Sequence, residues 1–327
     1  MKEVRMRAFG KPTEAPEIIE AAAGDPGPGQ VAVAMEAAPI NPSDLLLIRG
    51  HYGYRPPLPA SLGTEGIGRI VAVGGAVDPT RIGERVLILP TLRSGTWQDQ
   101  LIVGEDGIVP VDPAADPLQL AMLGVNPVTA DILLRTFVDL APGAWIGQTA
   151  ANSAVGRYVV ALAKHAGIRT LNVVRRPDIS PELLELGADS VIVSGPDMGE
   201  QIEGVLGDER MSLLLDPVAG ETCTSLTSWL EYGGTVVNYG GLSGASVTIA
   251  PADLIFRDIR VRGFWQKHWL DTAPHEDVVA TYARLADLVT AGLLYAPVAA
   301  TYPLEQYREA LAHAAETGRD GKVLFTW

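Results

Sequence analysis

The chain is poor in cysteine: Cys223 is the only one among its 327 residues. A single thiol excludes an intrachain disulfide and leaves no thiolate cluster that could hold a structural zinc ion. Long apolar runs are also missing, since no segment approaches the roughly 18–20 residues needed to cross a bilayer. The N-terminal segment MKEVRMRAFGKPTEAPE lacks the apolar stretch of a signal peptide and carries acidic residues early. These absences predict a cytoplasmic protein without a membrane span.

Basic residues are outnumbered, with 25 Lys and Arg against 39 Asp and Glu, for a net charge of −14. Such a field repels polyanions, so the composition argues against non-specific nucleic-acid binding. An anionic ligand would therefore need a local basic pocket. The content of 47% hydrophobic and 20% charged residues is ordinary for a globular protein, and the length is natural for two domains.

Apolar residues follow two different patterns along the chain. Before about residue 120, segments such as QVAVAMEAAPI alternate with period two between glycines and prolines, which predicts irregular β structure. From there to residue 266, strands such as AWIGQTAA alternate with helices, which predicts an α/β fold with a doubly wound parallel sheet. We therefore predict a β-rich domain formed by residues 1–120 with 267–327 and a dinucleotide-binding domain formed by residues 121–266.

A phosphate-binding turn is expected between AWIGQTAA and the helix SAVGRYVVALAKHAG. Dinucleotide folds usually carry G-x-G-x-x-G there, but this chain has Ala151, Ser153 and Gly156, so only the third glycine is present. The physics still suits a pyrophosphate, because small residues precede a helix N-terminus with free N–H groups, and Asn152 and Ser153 add side-chain donors. An ordinary strand–turn–helix is the alternative interpretation.

The second strand of this region ends in Arg175 and Arg176, where a chain that binds NAD usually has Asp or Glu. Guanidinium groups suit a 2′-phosphate, so the pair favours NADPH, with a solvated basic turn as the alternative. Tyr239, Gly240 and Gly241 end a later strand, where glycines allow a ligand to approach the backbone closely. A plain tight turn explains them almost as well.

Several segments together resemble the mitochondrial trans-2-enoyl-CoA reductase family, a zinc-independent branch of the medium-chain dehydrogenases and reductases. The similarity extends over nearly the whole chain and is carried by the segments NPSDLLLIRGHYGYRPPLPA, LGTEGIGRIVAVG, LGVNPVTA, AANSAVG, GIRTLNVVRRPDI, GGTVVNYGGL and LIFRDIRVRGFW. The resemblance implies a GroES-like catalytic domain beside a Rossmann domain, NADPH as cofactor, an acyl thioester as substrate and a homodimer.

The resemblance also implies roles for individual residues. Tyr52 matches the catalytic tyrosine, and Trp265 would form an apolar wall for the acyl chain. The residues implied to bind the cofactor or line the cleft around it are Asn126, Asn152, Ser153, Ala154, Val155, Gly156, Arg175, Arg176, Tyr239, Gly240, Gly241, Leu242, Phe264, Trp265 and Lys322. From sequence physics alone, Tyr52 could equally be a turn tyrosine packed on prolines, and Trp265 a core tryptophan.

The chain departs from the family at three places. Ala154 replaces a common glycine in the phosphate turn, and the segment after the second strand is one residue shorter, which affects the aim of Arg176 more than that of Arg175. The N-terminal targeting extension of the eukaryotic enzymes is missing, so we expect a bacterial cytoplasmic protein. Zinc is disfavoured independently, because Gly63-Thr64-Glu65 stands where zinc-dependent relatives have Gly-His-Glu.

These observations predict an NADPH-dependent reductase of the C2–C3 double bond of a 2-enoyl thioester, with hydride added to the β-carbon and Tyr52 assisting protonation of the α-carbon. Two alternatives remain: an NADPH:quinone or alkenal/one reductase, and a non-catalytic NADPH-binding protein. The acyl-chain length and the choice between coenzyme A and a carrier protein depend on cavity volume and stay open.

Overall fold

The structure is a computed structural model that describes all 327 residues. The sixteen strands are β1 Lys2–Met6, β2 Pro16–Glu20, β3 Gln30–Pro39, β4 Ala60–Ser61, β5 Gly66–Val73, β6 Arg85–Ile88, β7 Gln100–Gly104, β8 Ile108–Pro110, β9 Trp145–Thr149, β10 Arg169–Val174, β11 Ser190–Val193, β12 Met211–Asp216, β13 Leu230–Asn238, β14 Arg260–Gly263, β15 Val298–Tyr302 and β16 Lys322–Thr326. The eleven α-helices are α1 Pro42–Arg49, α2 Pro117–Ala121, α3 Asn126–Thr136, α4 Ala154–His165, α5 Ser180–Leu186, α6 Met198–Leu206, α7 Gly220–Thr227, α8 Pro251–Phe256, α9 Gln266–Thr272, α10 His275–Thr290 and α11 Tyr307–Ala315.

A six-stranded parallel sheet forms the centre of one part of the molecule. Its strand order is β11-β10-β9-β12-β13-β14, and every neighbouring pair is parallel. Numbered along the chain, this is the order 3-2-1-4-5-6 of the Rossmann fold. All five residues of β9 are buried, as expected for a strand covered by helices on both faces. The predicted doubly wound α/β sheet is confirmed.

The remaining strands form two sheets. A seven-stranded sheet has the order β15-β16-β3-β5-β6-β8, with β7 also paired to β3, and a three-stranded sheet has the order β2-β1-β4. The long strand β3 is central, because its alternating apolar residues pack into a core while its backbone pairs with three strands. The last strand, β16, runs antiparallel to β3, so the C-terminal residues complete the sheet that the first hundred residues begin.

Helix α1 begins directly after Asn41. The N-cap is Asn41, Pro42 occupies the first turn, and the Asp44 carboxylate accepts a hydrogen bond from the Asn41 backbone N–H at 2.7 Å. Pro fits the first turn because its missing N–H would have no partner there. Asp44 therefore stabilises the start of the helix from inside it rather than capping it.

The chain divides into two compact units, one formed by Met1–Val128 with Lys267–Trp327 and the other by Thr129–Gln266. The first has an apolar core around Trp97 and Phe325, and the second packs apolar clusters against its parallel sheet. The boundary between the units falls after Val128, within the first turn of α3, whereas the sequence predicted it near residue 120. None of the helices combines the length and apolar character that crossing a membrane requires.

Candidate active site

The turn between β9 and α4 brings the backbone of Gly156 close to that of Ala151. Ser153 is the N-cap of α4, and its hydroxyl accepts a hydrogen bond from the Gly156 N–H at 3.1 Å. A Cβ at Gly156 would lie 2.4 Å from the Ala151 carbonyl oxygen, so only glycine fits there. Ala151 is fully buried and Ala150 has φ of +49°. The sequence therefore builds a tight turn at a helix N-terminus, where backbone N–H groups and the helix dipole favour an anion.

The other predicted residues of this turn are more open. Asn152 is exposed, and Ala154 and Val155 are partly exposed at the first turn of α4. None of these side chains closes over the helix N-terminus with a hydrogen bond of its own. The side chain of Ala154, which replaces a glycine in the resembling family, is accommodated in regular helix.

Arg175 and Arg176 follow β10 directly and are both exposed. Arg176 lies 3.8 Å from the Asp178 carboxylate, and both side chains are more than half exposed, so this ion pair is weak. Arg175 makes no side-chain hydrogen bond within the protein. The end of β10 therefore offers two guanidinium groups, and the sheet order puts β10 next to β9.

Tyr239, Gly240, Gly241 and Leu242 follow β13. A Cβ at Gly240 would lie 2.9 Å from the Pro217 carbonyl oxygen, whereas Gly241 faces open space. The Tyr239 hydroxyl is buried without a hydrogen-bond partner that meets normal geometry, although it lies near Ser153. Burial and the nearby Asp216 carboxylate raise the pKa of Tyr239 above its ordinary value. A buried unpaired hydroxyl beside a helix N-terminus is a candidate ligand contact.

Asp216, which the sequence analysis missed, holds the strand ends together. Its fully buried carboxylate accepts hydrogen bonds from the Thr149 hydroxyl at 2.5 Å, the Ala219 N–H at 2.9 Å and the Asn238 side chain at 3.1 Å. It thereby joins the carboxyl ends of β9, β12 and β13. An aspartate that ends the apolar run MSLLLD was the available signal, because a buried carboxylate needs several donors. Burial and Asp216 also raise the pKa of Cys223, which keeps this thiol protonated.

Phe264 and Trp265 follow β14. The Phe264 N–H donates to the Asn238 carbonyl oxygen at 3.0 Å, which places Phe264 beside the end of β13. Its ring meets Phe137 edge-on, with the centroids 6.2 Å apart. Trp265 is 39% exposed and is therefore not the core tryptophan that was the alternative interpretation.

Tyr52 belongs to the first unit, in the loop after α1. Gly50 ends the helix at φ of +73°, a conformation that favours glycine, and the chain then turns into His51 and Tyr52. Tyr52 is half-buried and packs against the apolar core of its unit. The Arg55 guanidinium of the same loop lies 4.6 Å from the centre of the Phe9 ring.

Asn126 and Lys322 meet in a buried polar cluster of the first unit, which we name the Asn41 cluster. It consists of Asn41, Asp44, Thr64, Glu65, Asn126 and Lys322. The Asn41 side chain is its centre. Asn41 Nδ2 donates to Glu65 Oε1 at 2.7 Å, and Asn41 Oδ1 accepts from Lys322 Nζ and, at 3.3 Å, from Asn126 Nδ2.

Each of the four carboxylate oxygens in the Asn41 cluster accepts a hydrogen bond. Glu65 Oε2 accepts from the Val125 N–H at 2.7 Å, and Asp44 Oδ1 accepts from the Thr64 hydroxyl. Burial raises the pKa of Asp44 to about 6. Burial also raises the pKa of Glu65 and lowers that of Lys322, while each opposes the shift of the other because their charges attract.

Asn126 and Lys322 were predicted from the sequence as separate site residues, whereas Asn41, Asp44 and Glu65 were not predicted as part of a site. Asn41 is 85 residues from Asn126 and 281 residues from Lys322. No local pattern spans such distances. Asp44 and Thr64 also line a cavity of about 230 Å³ beside the cluster.

Comparison with protein families defines the class. Residues 27–112 match the alcohol dehydrogenase GroES-like domain, and residues 154–285 match the zinc-binding dehydrogenase family. Together with the Rossmann strand order, these matches define a medium-chain dehydrogenase/reductase. Although the second family is described by its zinc, Thr64 and Glu65 here are engaged with Asp44 and Asn41, and no group of three or more His, Cys, Asp or Glu could hold a metal ion.

Two curated relatives narrow the class. The human mitochondrial enoyl-[acyl-carrier-protein] reductase is 39% identical over 302 residues, which cover 90% of this chain and 80% of the human protein. The Arabidopsis thaliana protein of the same name is 33% identical over 332 residues, covering 100% of this chain and 88% of that protein. The chain belongs to the zinc-independent family of mitochondrial enoyl-[acyl-carrier-protein] reductases, and it is an oxidoreductase of the enoyl thioester reductase type.

Solved structures agree on the fold. Etr1p, a mitochondrial 2-enoyl thioester reductase from Candida tropicalis that has been solved with NADP and crotonyl-CoA, is 27% identical with a TM-score of 0.87, covering 100% of this chain and 99% of Etr1p. A protein from Bacillus thuringiensis described as an NADPH:quinone reductase is 29% identical with a TM-score of 0.93, covering 100% and 98%. The fold is thus shared by a reductase solved with NADP and by a protein described as an NADPH:quinone reductase.

The cytoplasmic location predicted from the sequence is wrong, because the curated relatives are named as mitochondrial proteins. The prediction rested on the N-terminal residues alone. The fold of the two units does not depend on the cellular compartment, so it gives no information about location.

Proposed function

We propose that this chain reduces the C2–C3 double bond of a 2-enoyl thioester to the saturated acyl thioester at the expense of NADPH. The observation that carries the proposal is the 31–39% identity to enoyl-[acyl-carrier-protein] reductases along most of the chain. The similarity to Etr1p, whose solved complex contains crotonyl-CoA, supports a thioester as substrate. Coenzyme A and carrier-protein thioesters are both compatible with this proposal.

The β9–α4 turn fits the pyrophosphate of a dinucleotide. Gly156 permits the close approach of helix and strand. Ser153 caps only the Gly156 N–H, so the N-terminal turn of α4 can still receive an anion. The buried, unpaired Tyr239 hydroxyl adds a donor at the same edge. Asn152, Ala154 and Val155 would contact the phosphates through their exposed backbone or side chains.

Arg175 and Arg176 support NADPH rather than NADH. Both guanidinium groups are exposed at the end of β10, next to the strand that carries the phosphate turn. A guanidinium group forms charge-assisted, paired hydrogen bonds to phosphate oxygens. We expect Arg175 to contribute more to binding of the 2′-phosphate, because Arg176 also interacts with the Asp178 carboxylate.

Tyr52 is proposed as the catalytic residue. When bound, NADPH would supply a hydride to the β-carbon of the substrate, and negative charge would develop on the thioester oxygen and the α-carbon. The Tyr52 phenol can donate a hydrogen bond to that charge or deliver the proton to the α-carbon. Loss of one donor to a developing oxyanion costs about 10²–10³-fold in rate.

The remaining predicted residues would shape the cleft. We propose that Phe264, Trp265 and the Tyr239–Leu242 segment line the nicotinamide and the acyl chain, and that Asn126 faces the nicotinamide. Leu242 is 63% exposed and Trp265 is 39% exposed, so both offer apolar surface to a ligand. Lys322 lies in the Asn41 cluster, where it touches Asn41.

The two units would have different roles in the reaction. We propose that Thr129–Gln266 binds the cofactor and that the other unit supplies Tyr52. We also propose a homodimer through the edge strand β14, whose four residues are all exposed and leave one side of the strand unpaired. Molecular mass by light scattering tests this; a monomeric mass at micromolar concentration would contradict it.

Quinone reduction is the second candidate, favoured by the TM-score of 0.93 to the protein described as an NADPH:quinone reductase. The two candidates differ in their need for a positioned proton donor at carbon. Reduction of a quinone ends on oxygen atoms that exchange protons with water, so the Tyr52 phenol would be dispensable.

NADPH oxidation with crotonyl-CoA, a longer 2-enoyl-CoA and a benzoquinone separates these candidates, measured for the wild type and Tyr52→Phe. We expect enoyl-CoA turnover to fall by about 10²–10³-fold in the variant. The matched control is Tyr295→Phe, because this tyrosine of the same unit is 57% exposed and has no assigned role. Quinone turnover that survives Tyr52→Phe, with no enoyl activity in the wild type, would overturn the thioester proposal.

A further inference from the structure

The Asn41 side chain is held between opposite charges. Its Nδ2 donates to the Glu65 carboxylate at 2.7 Å, and its Oδ1 accepts from the Lys322 ammonium. Reversing the amide would place N–H donors against an ammonium and a carbonyl oxygen against a carboxylate. Lys322 and Glu65, which are 5% and 0% exposed, therefore permit one orientation of Asn41.

Asn41 in turn decides how Asn126 is oriented. Asn41 Oδ1 is an acceptor, so the Asn126 amide must turn its Nδ2 towards it, as the 3.3 Å contact shows. Asn126 Oδ1 then points away from Asn41 and has no hydrogen-bond partner within the protein. Asn126 as a whole is 8% exposed, and its Oδ1 keeps some accessible surface, so a ligand can reach this oxygen.

The segment that carries Asn126 is also fixed by its backbone. The Val125 N–H donates to Glu65 Oε2 at 2.7 Å, and the Gly124 carbonyl oxygen accepts from the Tyr282 hydroxyl at 2.7 Å. A Cβ at Gly124 would lie 2.9 Å from Glu65, so glycine allows this close approach. Asn126 is thus held both through its side chain and through the residues before it.

We infer that Lys322 and Glu65 are positioning residues which act through Asn41 to make Asn126 present a hydrogen-bond acceptor to its ligand. The identity of this ligand rests on the proposed function: an acceptor requires an N–H donor, and the carboxamide of the nicotinamide supplies one. The charge pair therefore selects a cofactor with a carboxamide NH₂ over one with a methyl ketone at the same position. Without the pair, the two amides can reverse together and Asn126 can offer a donor instead.

The test compares the binding of NADPH and of its acetylpyridine analogue, in which a methyl group replaces the amide NH₂. Fluorescence titration or calorimetry gives the two Kd values without turnover. For the wild type we expect NADPH to bind roughly tenfold more tightly than the analogue, as one hydrogen bond allows. The double variant Lys322→Met/Glu65→Gln should lower that ratio to about twofold or less, through weaker binding of NADPH and unchanged binding of the analogue.

The double variant is chosen because each single change would leave a buried charge without its partner and could unfold the protein. Lys322→Arg keeps a cation and should keep the wild-type ratio. Lys2→Met, at an exposed ion pair with Glu305, is the matched control and should also keep it. Circular dichroism verifies that each variant is folded.

A folded double variant that retains the tenfold ratio would overturn the inference, as would a wild type that binds the two cofactors equally. Both results leave enoyl reduction untouched, since the Tyr52→Phe comparison measures it separately. A wild type that binds neither cofactor would instead remove the proposed function itself.

Discussion

The two units build their sites in opposite ways. In the second unit, the turn after β9 uses small residues and backbone geometry, and its charged groups, Arg175 and Arg176, remain in solvent. In the first unit, the Asn41 cluster places an ammonium and two carboxylates inside the protein, where each forms hydrogen bonds. The first strategy depends on shape and tolerates little added volume. The second depends on charge balance and is sensitive to pH and to the loss of one partner.

The shape-dependent side of this comparison is tested most severely at Gly156. Gly156→Ala should lower the free energy of unfolding by about 2–3 kcal/mol, because the new Cβ would lie 2.4 Å from a carbonyl oxygen. Gly204→Ala, in helix α6 with open space around it, should instead raise it by roughly 0.5–1 kcal/mol. Urea denaturation measures both. Equal effects of the two changes would contradict the close approach in the β9–α4 turn.

The exposed arginines should govern affinity without governing stability. Arg175→Ala/Arg176→Ala should weaken NADPH binding by about 1.5–3 kcal/mol and leave the binding of NADH unchanged, because only NADPH carries the 2′-phosphate. Arg210→Ala, at another exposed position in the same unit, is the control. If NADPH and NADH lose affinity equally, the guanidinium groups do not bind the 2′-phosphate.

The charge-dependent side should show a pH signature at Asp44. Its pKa is about 6 in the folded protein against 3.8 in the unfolded chain, so the folded state is favoured by protonation and loses stability as pH rises from about 4 through 6. In Asp44→Asn this loss disappears. The difference in unfolding free energy between variant and wild type should therefore shift by about 2 kcal/mol in favour of the variant from pH 4 to pH 7.

The control for Asp44 is Asp178→Asn, which makes the same replacement at a side chain that is 68% exposed. Chemical denaturation at several pH values provides the measurement. A constant difference between wild type and Asp44→Asn across this range would show that burial does not perturb Asp44.

The smallest effect separates the two roles of Ser153. Ser153→Ala removes the cap of α4 and should cost about 1 kcal/mol of stability. Ser153→Asp can still cap the helix and should be nearly as stable as the wild type, but its charge should weaken binding of a pyrophosphate. Thermal unfolding and NADPH titration on both variants measure this. Unchanged NADPH affinity in Ser153→Asp would move the phosphates away from α4.

The sequence predicted the second unit better than the first because its signals are local. The strand AWIGQTAA, the small residues after it and the helix follow one another directly, and so do the arginines after β10. The Asn41 cluster has no such signal: Asn41 is 24 residues from Glu65 and 281 from Lys322, and the NPSD segment reads as an ordinary helix start. Asp216 was missed for a similar reason, since its donors come from three different strand ends.

The central amide of the Asn41 cluster also limits which amino acids can replace one another. Asn41 forms hydrogen bonds with both Glu65 and Lys322, so a change at one of the three positions leaves a buried charge or an unmatched amide at another. We therefore expect single substitutions at these three positions to destabilise the protein. An altered cluster would have to arise through paired substitutions. Among relatives, the identities of residues far apart in the sequence should then vary together rather than one at a time.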